Sequence, residues 1–141
     1  MTDFVRDESH WLFKFSPQEW IHAGMAELRR AEAAYKQRNA TAGLAGSRRA
    51  AGMALNGALI AEPNERWGRT YADHLLALQE DMGVPLPVRA ASKFLMDTQP
   101  ARGNIIPLRS KVDDERVLEA ARDVMAHAYA VVARDEAKSR S

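Results

Sequence analysis

The stretch from Thr41 to Ala61 constrains this chain more than any other. Glycine stands at positions 43, 46, 52 and 57, and alanine at 42, 45, 50, 51, 54, 58 and 61. A glycine in a helix interior costs up to about 1 kcal/mol relative to alanine. Such a segment stays helical only where neighbouring helices come close enough to compensate. Leu44, Ala51, Leu55, Ala58 and Leu59 recur at helical spacing, which predicts a central helix ended by Glu62-Pro63-Asn64.

The flanking segments supply its neighbours. Ser16-Pro17-Gln18-Glu19 combines a capping residue, a proline at the first helical position and the acid of a capping box, with Phe15 and Trp20 placed for a hydrophobic staple. Trp20, Gly24, Leu28, Ala31 and Tyr35 then form one apolar stripe, and this helix should end near Arg38–Asn39. Thr70 and Asp73 open a third helix with Ala72, Leu75, Leu76, Leu78 and Met82 inward and Gly83 at its end. Pro85 and Pro87 bracket a turn before a short helix, Val88–Met96, with Ala91, Phe94 and Leu95 inward. Asp113 caps a last helix reaching about Arg134, whose core stripe is Val117, Ala121, Val124, Ala128 and Val131.

No segment alternates with period two. The pattern predicts an all-α fold: an antiparallel up-and-down bundle of four long or medium helices plus a short fifth helix. At 141 residues one domain is expected, over residues 16–136. An arm, residues 1–15, precedes it with Trp11, Leu12, Phe13 and Phe15 close together. Such an arm either covers the core or packs on a second subunit. Residues 137–141 read as a disordered tail.

Several chemistries are excluded at once. The chain has no cysteine, so disulfides, thiolate metal sites and a cysteine nucleophile are absent. A net charge of +1 gives no global field, so any anion site must be local. The N-terminus lacks an apolar signal core, and no apolar run approaches the roughly 18–20 residues that span a bilayer. A cytoplasmic protein without membrane association is the expectation. Glu19 and His22 have the spacing of a di-iron half-site, but no second copy exists, so neither metal nor cofactor is expected.

Two polar sets stand out as candidate sites. Arg122, His127 and Tyr129 lie within the last helix. Fifteen arginines and four histidines make about one such Arg–His spacing by chance, and Arg69 with His74 is a second instance. On a regular helix Arg122 and Tyr129 share a face, while His127 points roughly 140° away from Arg122. The second set is Arg102, Arg109 and Lys111, in a long acid-free connection, Thr98–Val112, whose Gly103-Asn104 turn suits phosphate binding. Arg29-Arg30 and Arg48-Arg49 read as solvated helix faces beside Glu27 and Glu32.

Taken together, Trp20, Ala26-Glu27-Leu28 and Ala31, the small-residue helix around Arg48–Asn56, and His74-Leu75-Leu76-Ala77-Leu78 resemble the HEPN domain family over roughly Ser16–Arg134. The family's second helix usually carries Gln-Gln-Ala-Ala-Glu-Lys, where this chain has Arg and Gly in place of Gln and Glu. The resemblance implies a homodimer and an RNA- or nucleotide-related role.

One branch of the family consists of metal-independent endoribonucleases, often toxins paired with an antitoxin, with an Arg, then a His, then a Tyr at the spacing of Arg122, His127 and Tyr129. In that chemistry the 2′-hydroxyl attacks, His127 acts as general base or acid, and Arg122 holds the phosphate. Tyr129 positions RNA or is a modification target. The other branch is not nucleolytic and accompanies small nucleotidyltransferases, as a nucleotide- or protein-binding bundle. Its proline-containing connection is similar to Ile105-Ile106-Pro107-Leu108-Arg109.

Overall fold

The computed structural model describes residues 11–63, 70–98 and 111–139. Among these there are five α-helices and no strand. They are α1 (Pro17–Lys36), α2 (Ala40–Ala61), α3 (Tyr71–Glu80), α4 (Leu86–Asp97) and α5 (Lys111–Ser139), preceded by a 3-10 turn over Trp11–Lys14. No helix among the described residues is long and apolar enough to cross a membrane.

The entry to α1 follows from its first residues. Ser16 Oγ accepts from the Glu19 N–H at 3.1 Å, and Glu19 Oε1 accepts from the Ser16 N–H at 2.9 Å. The Phe15 ring meets Trp20 edge-on, with centroids 5.0 Å apart. Trp20 Nε1 donates to the Leu12 carbonyl at 2.7 Å, and Leu12 is buried beside Leu59 and Ile60. Of the two readings of the arm, its described end therefore covers the core.

α2 is the hub, packed against α1, α3, α4 and α5. Its small residues let backbones touch. A Cβ on Gly57 would stand 2.6 Å from the Pro17 carbonyl oxygen, and one on Gly24 of α1 would stand 2.8 Å from the Ala50 carbonyl oxygen. These pairs also set α1 antiparallel to α2. At the other side Arg134 of α5 donates to Glu62, just past α2, through Nε at 3.0 Å and Nη2 at 2.8 Å. α2 and α5 thus end together and run the same way, both opposite to α1. Leu28, Leu44, Leu55, Leu75, Leu78, Leu95, Val117 and Val124 fill the space between.

Several boundaries and faces differ from the sequence reading. Asn39 caps α2 through Oδ1, which accepts from the Ala42 N–H at 3.1 Å. α4 opens at Leu86 because Pro85 sits at its cap and Pro87 in its first turn, where a missing N–H costs nothing. α3 buries His74, Leu75 and Leu78, whereas Ala72, Leu76 and Met82 are exposed. The Ser92 hydroxyl of α4 donates to the Leu75 carbonyl at 2.6 Å, which locks α3 onto α4 in that orientation.

The tail is a further correction. α5 continues through Ser139, so residues 137–139 are helical. Residues 136–138 are good helix formers, and the Gln18 side chain of α1 donates to Glu136 and holds the last turns in place.

Candidate functional site

Arg122, His127 and Tyr129 all lie on α5, whose inward stripe of Val117, Ala121, Val124, Ala128 and Val131 fixes its rotation. Residues seven apart share a helix face, so Arg122 and Tyr129 emerge together. Arg122 is partly exposed, with Nη1 2.8 Å from Glu115 and Nη2 3.6 Å from Glu32 of α1. The hydrogen bond to Glu115 is the main reason its guanidinium is held more firmly protonated than usual; burial opposes it, and the charges of Glu115 and Glu32 add to it. Tyr129 is 63% exposed, unusual for a side chain of its size.

His127 emerges on another flank. It is half-buried, and the charged groups that reach it are Arg134 from its own helix, Asp81 from the end of α3 and Glu62 from the end of α2. Burial pushes its imidazole below the ordinary value, Arg134 adds to that, and Asp81 and Glu62 oppose it. The net direction favours the neutral imidazole. The structure brings Arg122 and Tyr129 onto one face and leaves His127 off it, as regular helix geometry requires.

The second candidate set is only marginally visible. Arg102 and Arg109 lie outside the described residues, and Lys111 enters only as the first backbone position of α5. Arg69, half of the other Arg–His spacing, is also outside them, and His74 is fully buried in α3.

The paired arginines of α2 have tasks the sequence did not reveal. Arg48 reaches the last turn of α4, with Nε 2.7 Å from the Leu95 carbonyl and Nη2 3.2 Å and 2.7 Å from those of Met96 and Thr98. A guanidinium fits there because the final carbonyls of a helix lack partners and carry its negative dipole end. Arg49 and Arg30 both pair with the nearly buried Glu27, at 3.2 Å and 3.4 Å. Beside them Tyr71 lies against Gly52, and burial pushes its phenol upward, with Arg49 opposing and Glu27 assisting. Spacing along the chain gives no sign of the Arg48 and Arg49 contacts, whose partners lie 22 to 50 residues away.

One polar residue on α2 is set apart. Asn56 is fully buried, and neither its side-chain oxygen nor its nitrogen has a hydrogen-bond partner. Among the described residues no three His, Asp or Glu side chains gather into a metal-binding group, and His22 is exposed. No family model, no curated protein and no solved structure matches this chain.

Proposed function

We propose that this chain is a HEPN-like homodimeric bundle with an RNA- or nucleotide-related role, working as a binding module and not as a nuclease assembled from one chain. One observation carries that choice. Arg122 is tied to Glu115 and Glu32 on the flank next to α1, while His127 sits among Asp81, Glu62 and Arg134. A general base and a phosphate-holding cation must converge on one phosphodiester within hydrogen-bond reach, and these two diverge. Arg102, Arg109 and Lys111 are the proposed phosphate contacts, on the strength of their acid-free sequence. The proposed protein partner is a nucleotidyltransferase or an antitoxin.

Calorimetry with ATP, GTP and a short single-stranded RNA tests the binding role. Wild type should bind one of these probes, and the Arg102→Ala/Arg109→Ala double variant should not. Binding of none of them by wild type would overturn the reading.

A second reading, a metal-independent endoribonuclease, is favoured by the burial of His127, which pushes its imidazole toward the neutral form a general base needs. RNA incubated with wild type and with His127→Ala in the presence of a chelator decides between them. Cleavage by wild type that disappears in the variant would establish the nuclease and displace the binding module.

A further inference from the structure

Two contacts fix the register of α1 against α5. The Gln18 amide meets Glu136 at one end, and Glu32 meets Arg122 at the other. Met25 lies seven residues from both Gln18 and Glu32, and Tyr129 lies seven from both Arg122 and Glu136. The two antiparallel helices thus carry Met25 and Tyr129 at one level, midway between two polar pairs. Both are large side chains left open to water, Met25 at 46% and Tyr129 at 63% exposure. Around Tyr129 the outer surface of α5 offers only Ala126, Ala130 and Ala133, all exposed and none charged.

We propose that this α1/α5 face docks a second copy of the chain about a two-fold axis crossing both helices at the level of Met25 and Tyr129. The inference deepens the homodimer proposed above and rests on it. Charge selects this occupant. Equal spacing about Tyr129 means that such an axis sets Arg122 of each copy opposite Glu136 of the other, and Glu32 opposite Gln18. Opposite charges meet twice and no like charges meet along these rows, which is the self-complementarity a two-fold contact requires. The centre holds an aromatic and a thioether, set among alanines on α5 and beside the exposed His22 and Arg29 on α1, with further polar groups at the rim. The dimer takes Arg122 and Tyr129 into the contact and leaves His127 outside it. It therefore forms no shared Arg–His site.

Sedimentation or light scattering reads the assembly. Wild type should be a dimer, and Tyr129→Glu should weaken association by roughly 10-fold or more, about 1.4 kcal/mol, with unchanged helical circular dichroism. The absence of cysteine permits a direct check. Tyr129→Cys places one thiol at the axis and should be captured as a covalent dimer by a short bis-maleimide, whereas Leu86→Cys, exposed on α4, should not. If Tyr129→Glu fails to fold, the cross-linking decides. A wild type that stays monomeric at about 100 μM would remove both the homodimer and this face. A dimer that Tyr129→Glu leaves intact, or one captured at position 86 and not at 129, would overturn the face alone.

Discussion

Arg48 of α2 donates from Nε to the Leu95 carbonyl of α4 across 2.7 Å, and the same guanidinium reaches the Met96 and Thr98 carbonyls. α2 and α4 share little other packing, so this one side chain supplies much of the direct connection between them. Arg48→Ala should lower stability by about 2 kcal/mol, the scale for hydrogen bonds to a charged donor whose acceptors lose their partner. Lysine cannot reproduce the planar fork, so Arg48→Lys should recover only part of the loss. Urea unfolding of the three proteins measures this, and equal midpoints would remove Arg48's structural role.

The contact of α1 with α2 predicts a reversed sign for a familiar substitution. Glycine to alanine inside a helix ordinarily stabilises by up to about 1 kcal/mol. At Gly24 and Gly57 the added methyl meets a backbone carbonyl oxygen at 2.8 Å and 2.6 Å, and neither oxygen can move without shifting a helix. Gly24→Ala and Gly57→Ala should each destabilise by about 1–3 kcal/mol, read as a fall in the thermal midpoint.

Asn56 carries the opposite expectation. Its buried amide makes no hydrogen bond, and a polar group buried without one costs about 1–3 kcal/mol. Asn56→Leu keeps the branch point and removes the polar atoms, so it should raise stability by about 1–2 kcal/mol. Asn56→Asp places an ionisable group in the same surroundings and should destabilise the fold. Chemical denaturation at pH 7 distinguishes the two directions.

His127 makes stability depend on pH with a definite sign. Its folded pKa lies below the ordinary 6.5 of the unfolded chain. Between those two values the unfolded state binds the extra proton, so stability rises with pH. The neutral-side-chain stability is full above the unfolded value, declines as pH falls below it, and levels off below the folded value. His127→Asn should flatten that part of the profile. Urea midpoints from pH 7.5 down to 5, wild type minus variant, isolate this contribution from His22 and from the carboxylates.

Local chemistry was the part of the fold readable in advance. The Ser16–Glu19 capping box, the Phe15–Trp20 staple and the Thr70–Asp73 cap each depend on residues within five positions of one another, and all three are present. The inward stripes of α1, α2 and α5 were equally plain, because long helices repeat their pattern several times. α3 was too short for that. With leucines at 75, 76 and 78 it has apolar groups on more than one side, and the bond from Ser92 to the Leu75 carbonyl selects the face that buries His74. At the candidate site, helix geometry alone separated His127 from Arg122. Arg122 has one partner, Glu115, two turns back on its own helix, but Glu32 and the partners of Arg48 and Arg49 come from other helices, and no spacing along the chain announces them.

The hub position of α2 also bears on how such a sequence can drift. A helix that touches its neighbours with leucine can exchange one bulky residue for another and repack. Where backbone meets backbone, as at Gly57 and Pro17, there is no side chain to trade and no slack to absorb a methyl group. Substitutions should therefore accumulate on the outward surfaces of α3 and α4, while α2, with the smallest side chains of the five helices, changes least.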